Sequence, residues 1–118
     1  MNAAKKIEKL NPEIDYNLSL TYKTIKSLKE AILSIDSAIK QKPDNQIYKI
    51  LKADILIDCF EDKKAQELLL NLKFKKDSQL HFQREILISK VFINQKNYKL
   101  AEEILLELRK LFSKQKIL

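Results

Sequence analysis

Residues 31–38 read Ala-Ile-Leu-Ser-Ile-Asp-Ser-Ala, and the core of this pattern returns twice later in the chain. Its first alanine, Ala31, is matched by Ala65 and Ala101, at intervals of 34 and then 36 residues. Repetition at a period of 20–50 residues is typical of stacked supersecondary units. The sequence therefore predicts an array of three repeats.

Other residues recur at fixed offsets from these alanines. A small residue lies twelve positions earlier, a tyrosine, leucine or phenylalanine nine earlier, and an alanine or larger apolar residue four and seven later. In that order the columns are Ser19, Ala53 and Ser89; Tyr22, Leu56 and Phe92; Ile35, Leu69 and Leu105; Ala38, Leu72 and Leu108. Spacings of three, four and seven place residues on one helical face, so each repeat is predicted to be a pair of amphipathic helices. The small residues mark the points where two helices cross closely.

The pattern resembles that of the tetratricopeptide repeat (TPR) family. The best local matches are Leu18-Ser19-x-x-Tyr22, the run Ala31-x-x-x-Ile35-x-x-Ala38-x-x-x-x-Pro43, and Asn97-Tyr98-Lys99-Leu100-Ala101-Glu102-Glu103. Segments 12–45, 46–79 and 82–115 fit the family's 34-residue frame. The chain departs from the family in having no glycine, and in placing Asp15, Lys49 and Glu85 at the tryptophan-like position. The resemblance implies an all-α fold, a right-handed α-α superhelix (solenoid) of three TPR-like helix hairpins.

The helix boundaries can be predicted from capping residues and prolines. Asn11-Pro12-Glu13 begins the first helix, which should run to about Thr24, and Ser27 with Glu30 suggests a capping box for the second. The second pair is predicted at about 46–60 and 62–74, with Asp62 as N-cap. Asp77-Ser78 should cap the fifth helix, to Asn94, and Asn97 the sixth, to about Ser113. Residues 1–11 are predicted to form a short helical segment that either caps the array or belongs to a preceding repeat.

Composition indicates one helical domain. The 118 residues include no glycine, two prolines and one cysteine, so neither a disulfide framework nor a zinc quartet is expected. No stretch approaches the roughly 18 apolar residues of a membrane span, and the N-terminus lacks the apolar core of a signal peptide, so a cytoplasmic protein without a membrane partner is expected. The net charge of +7 is uneven, since residues 82–118 hold eight basic against four acidic groups.

The sequence gives no indication of an active site, so we do not expect an enzyme or a bound cofactor. The single histidine, His81, lies in a predicted linker or helix start, and Cys59 lies in an apolar column where a packing role is expected. An acidic cluster could bind a hard cation, but pairing with lysine is the expected role; it comprises Asp54, Asp58, Glu61 and Asp62. Without glycine, a phosphate-binding glycine loop is excluded.

The TPR resemblance implies a ligand surface on the concave side, formed by the first helix of each pair. At the matching positions stand Glu13, Tyr16, Leu20 and Lys23, then Ile47, Ile50, Asp54 and Ile57, then Gln83, Ile86, Lys90 and Ile93. Seven of these twelve are apolar, which is unusual for a surface in water. The resemblance therefore implies an adaptor or chaperone-like scaffold that binds a hydrophobic or amphipathic segment of a protein. Residues 1–11 or another copy of the chain could fill the same surface instead.

Two alternatives remain open at this point. The basic third repeat could bind nucleic acid through Arg84, Lys90, Lys96, Lys99, Arg109, Lys110, Lys114 and Lys116. The aromatic residues interleaved with these charges are only Phe92, Tyr98 and Phe112, which occupy core columns or helix starts, and this argues against such a site. The chain could also be a structural segment of a longer solenoid. The last helix has no predicted neighbour to cover Leu106 and Leu111, which suggests self-association. We therefore expect a protein or peptide partner, with a homo-oligomer through the last helix as a second option and no binding to nucleic acid.

Overall fold

The structure, a computed structural model, describes residues 11–116 and the side chains of residues 11–113. This part of the chain contains six α-helices and no strand. They are α1 (Pro12–Thr24), α2 (Leu28–Gln41), α3 (Gln46–Asp58), α4 (Asp62–Leu70), α5 (Gln79–Asn94) and α6 (Tyr98–Lys116). The all-α class is confirmed, and the described chain contains the six helices that the sequence predicts in this order. The predicted helical segment at 1–11 lies almost wholly outside the described residues.

The helices contact one another in chain order. Each helix packs against the next one, and in addition α1 contacts α3 and α3 contacts α5. Within residues 11–116, neither α1 nor α2 contacts α5 or α6. The three first helices, α1, α3 and α5, thus lie side by side, and the middle pair separates the outer two.

The small-residue columns lie where the helices of a pair cross. Ala31, Ala65 and Ala101 are all buried, and so are Ser19 and its counterparts Ala53 and Ser89. In the first pair the hydroxyl of Ser19 donates a hydrogen bond of 2.8 Å to the carbonyl of Ala31. A close crossing leaves no space for a longer side chain, which explains why the repeat uses Ala and Ser at these positions.

The turn within each pair has the same backbone geometry in all three repeats. Lys26, Phe60 and Lys96 adopt positive φ angles of 67°, 59° and 63°. They follow one another at 34 and 36 residues, the intervals that separate the alanines. In the first turn the amide of Lys26 donates to the carbonyl of Lys23, and that of Ser27 to Tyr22; the other two turns repeat both bonds. This is the Schellman motif, in which glycine is usual at the positive-φ position.

Three capping predictions are confirmed and two are wrong. Asn11 accepts hydrogen bonds from the amides of Glu13 and Ile14, and Asn97 accepts one from Leu100. Ser78 accepts one from the amide of His81. The Ser27 side chain makes no cap bond. Its amide already donates to Tyr22 in the Schellman motif, so a capping-box glutamate has no free donor there. Asp62 is the first residue of α4, and the residue before it, Glu61, is the N-cap residue.

Helix α4 ends at Leu70, four residues before the predicted end at Phe74. The chain beyond it is not helical, yet Leu72 remains buried in the core. The guanidinium of Arg84, on α5, donates a hydrogen bond to the carbonyl of Leu72. A side chain from the next helix therefore satisfies a carbonyl that a longer helix would have paired internally.

Candidate functional site

The first helices of the three pairs form one depression, with a volume of about 330 Å³, which we call the groove. Its lining residues come from α1, α3 and α5; they are Tyr16, Leu20, Ile47, Ile50, Leu51, Asp54, Phe82, Gln83, Ile86, Leu87 and Lys90. Eight of the predicted surface residues are among them, at least two from each first helix. The structure therefore brings together residues that are separated by up to 74 positions in the sequence, from Tyr16 to Lys90.

The groove has a buried floor and an open rim. Ile50 is only 7% exposed and belongs to the core that joins the second and third pairs. Ile47, one helical turn earlier, is 48% exposed, and Tyr16, Leu20 and Ile86 are half-buried. A ligand in the groove would contact the rim residues directly, whereas Ile50 supports them from below.

Two further predicted residues lie beyond one end of the groove, while Glu13 lies outside it, in a separate depression on α1. Ile57 and Ile93 line a second depression, of about 370 Å³, together with Lys26, Leu28, Asp58, Phe60, Lys90 and Asn94. Lys90 lines both depressions, so they adjoin. Ile57 is buried core, like Ile50, while Ile93 is exposed. Phe60 is 74% exposed, an unusual position for a large aromatic residue, and it lies in the second Schellman turn.

Lys23 links the first two pairs electrostatically. Its ammonium nitrogen lies 3.6 Å from Asp54 Oδ2 and 3.2 Å from Asp58 Oδ2. Burial acts to lower the pKa of Lys23, but the charges and hydrogen bonds of Asp54 and Asp58 outweigh it and raise the pKa above its ordinary value. The buried Oδ2 of Asp58 has no well-aligned hydrogen bond, so proximity to the ammonium group is what compensates its charge.

Hydrogen bonds also explain the polar residues at the family's tryptophan-like position. Asp15 Oδ2 accepts hydrogen bonds of 2.8 Å from both Ser37 and Gln41, on α2. At the same position of the third repeat, Glu85 pairs with Arg84 at 2.8 Å. In the first pair, polar contacts between α1 and α2 are thus made at this position, whereas Glu85 pairs with its neighbour on the same helix.

Among the residues considered for catalysis or metal binding, the aspartates have structural partners: Asp54 and Asp58 contact Lys23, and Asp62 accepts a hydrogen bond from Asn94. Burial, and then the negative charges of Asp58 and Glu61, raise the pKa of Cys59, which disfavours a reactive thiolate. The amide of His81 donates to the Ser78 side chain at the start of α5. Within the described part of the chain, no group of three or more histidine, cysteine, aspartate or glutamate residues is placed to hold a metal ion.

The basic residues of the third repeat are scattered. The Arg84 side chain is mostly buried and bonded to Leu72 and Glu85, whereas Lys90 lies at the groove. Lys96 lies in the third Schellman turn. Arg109 and Lys110 are exposed on α6, and the side chains of Lys114 and Lys116 lie outside the described residues. These basic residues thus lie on α5, in the third turn and on α6, and Arg84 among them is already paired with Glu85.

Sequence reasoning missed three lining residues: Leu51, Phe82 and Leu87. Leu51 and Leu87 follow Ile50 and Ile86 in the sequence and are buried between first helices. A helical period alone assigns these two leucines to the core. Phe82 lies at the first position of the third repeat, outside the set that the TPR frame assigns to the concave side. Helix α5 begins at Gln79, directly after its predicted cap, and Phe82 in the first turn of this helix lines the groove.

No helix within residues 11–116 is both long and apolar enough to cross a membrane. No protein-family model, curated protein or solved structure matches the chain.

Proposed function

We propose that this protein is a non-catalytic protein-binding module that holds a hydrophobic or amphipathic segment of a partner in the groove. The observation that carries the proposal is the convergence of inward residues from α1, α3 and α5 on one apolar depression. We further propose a cytoplasmic adaptor or chaperone-like scaffold without a cofactor, in agreement with the expectations from the sequence.

The proposed architecture is a short right-handed superhelix of three TPR-like hairpins. The three matching Schellman turns support it, because stacked repeats need the same turn at the same position. The order of helix contacts supports it as well, since each unit of a repeat array touches only its neighbours.

The side chains of the groove define the chemistry of the proposed ligand. Apolar residues from all three first helices would contact alternate or i, i+4 apolar side chains of a helix or extended segment. Asp54 on α3 and Lys90 on α5 flank this strip and could orient a ligand with polar residues on its other face. Burial of a few hundred Å² at about 25 cal/mol per Å², reduced by ordering costs, corresponds to micromolar binding.

A peptide selection tests the proposal. Random peptides displayed on phage and selected on the purified chain should be enriched in sequences with apolar residues at helical or alternating spacing. Ile47→Glu should weaken the best peptide at least about tenfold, because a charge on the exposed rim would have to be buried against it. Ile47 is exposed, so the variant should keep its helicity.

Leu33→Glu is the matched control, since Leu33 is an exposed apolar residue on α2, a helix that contributes nothing to the groove. Its peptide affinity should equal that of the unmodified chain. Peptides that bind equally well to the Ile47→Glu variant would contradict the proposal and place the binding surface elsewhere.

A further inference from the structure

The far end of the array exposes a surface that is covered in the other repeats. Ile35, Leu69 and Leu105 occupy the same repeat position, and the first two are fully buried while Leu105 is 38% exposed. Beside Leu105, α5 and α6 enclose an apolar depression of about 520 Å³ that also includes Phe82, Ile86 and Phe112. We call these four residues, with Glu102, Leu106 and Arg109 beside them on α6, the end face. Leu105 and the depression lie where the first helix of a following repeat would pack, whereas Leu106, like its counterpart Leu70, lies at the edge of that surface.

The opposite end of the described chain is different. Asn17 and Thr21, on α1, match Leu51 and Ile55 on α3, which are buried against the preceding pair. The two polar side chains bond to their own helix, Asn17 to the carbonyl of Glu13 and Thr21 to that of Asn17. Ile14 and Leu18 beside them are apolar and exposed, so this end of the described chain is mixed. A second copy stacked head to tail would therefore bring the apolar end face partly against polar groups. Pairing of two end faces with each other avoids this mismatch.

The charges on α6 are arranged for such a like-to-like pairing. Residues 102–110 read Glu-Glu-Ile-Leu-Leu-Glu-Leu-Arg-Lys, so an acidic pair precedes the central leucines and a basic pair follows them. Glu102 and Arg109 are seven residues apart, about 10 Å along the same side of the helix. Neither forms an ion pair with another described residue.

We propose that a second copy of this chain covers the end face, with the two α6 helices antiparallel about a twofold axis between Leu105 and Leu106. In this arrangement Glu102 faces Arg109 of the partner subunit, and the contact occurs twice, as isologous symmetry requires. The central leucines of the two copies pack against one another over the depression. The proposal does not rest on the function of the groove.

The size of the end face sets the strength of the dimer. Two adjacent helices of about 16 residues present a surface of roughly 24 by 20 Å, so each copy contributes about 500 Å² to the interface. The total of about 1,000 Å² is at the lower limit for a specific interface. We therefore expect a dimer with a micromolar dissociation constant, which exchanges readily with the monomer.

Sedimentation velocity over a range of concentrations tests the dimer. The full chain should change from monomer to dimer in the micromolar range, and Leu106→Glu should abolish the change. Leu106 is 44% exposed, so circular dichroism should show an unchanged fold. Leu70→Glu is the matched control, because Leu70 is an exposed leucine at the same repeat position of the second pair. A chain that stays monomeric to about 1 mM, or a dimer that survives Leu106→Glu, would overturn the proposal.

A charge exchange tests the antiparallel geometry independently of the leucines. Glu102→Arg alone and Arg109→Glu alone should each weaken the dimer several-fold, because like charges then face each other. An equimolar mixture of these two single variants should dimerise again, as should the double variant, since opposite charges face each other in both cases. Failure of the mixture to recover would rule out this pairing of α6 helices.

Discussion

The second and third repeats contain leucine at the same position but use it differently. Leu69 on α4 is fully buried, because α5 packs over it, whereas Leu105 on α6 is 38% exposed and no described helix packs over it. Among the helices of residues 11–116, α3 contacts α1, α2, α4 and α5, while α6 contacts only α5. In this chain, how far a side chain is buried thus depends more on the neighbouring repeats than on the sequence of its own repeat. This is expected in an array where each unit supplies half of the interface with the next.

Truncation of these two leucines gives the largest expected difference between the repeats. Leu69→Ala should lower the free energy of unfolding by about 2–5 kcal/mol, because it leaves a cavity in a packed core. Leu105→Ala should lower it by less than about 1 kcal/mol, since part of that side chain is already in water. Urea denaturation of both variants, at a concentration where the chain is monomeric, measures the two values. Similar losses in both variants would contradict the contrast between a covered and an open position.

Replacement of the buried alanines by leucine tests the packing within a pair, apart from the contacts between pairs. Ala65 and Ala101 are both buried at the crossing of their own pair, so Ala65→Leu and Ala101→Leu should each cost about 1–3 kcal/mol. Lys63→Leu, on the exposed side of α4, serves as the control and should change the melting temperature little. If Ala101→Leu were tolerated as well as Lys63→Leu, the third pair would not be packed like the second.

The Schellman turns give the smallest expected effect, and it should be a gain. Lys96 has a φ of 63°, which a residue with a Cβ adopts only at a cost. Lys96→Gly should therefore stabilise the chain by roughly 0.5–1 kcal/mol despite the extra freedom of glycine in the unfolded state. Lys90→Gly, at an exposed position in the interior of α5, should instead destabilise it by about 1 kcal/mol. Thermal unfolding of both variants measures the difference, and a loss of stability in Lys96→Gly would contradict the proposed cost of this backbone.

The repeat frame was predictable from the sequence because packing within a pair depends on residues at fixed short spacings. The alanine column and the order of six helices follow from that spacing alone. The early end of α4 was not predictable from the sequence. It is linked to a hydrogen bond from the Arg84 guanidinium on α5 to the carbonyl of Leu72, in the chain that follows α4.

The candidate site was predictable only in part. The TPR frame brought residues of three helices together, but it could not separate the buried floor at Ile50 from the exposed rim at Ile47, since both lie on one side of α3. Nor could it show that Leu105 is exposed, because the pattern around this residue is the same as that around Leu69. In both cases the answer depends on a neighbouring helix that lies far away in the sequence.

Amide hydrogen exchange tests the central claim that neighbours, more than local sequence, determine burial and stability in this chain. Measured at a dilution where the chain is monomeric, exchange should be slowest in α3, which four helices surround, and clearly faster in α6, which one helix supports. Equal protection of α3 and α6, or the slowest exchange in α6, would contradict the account.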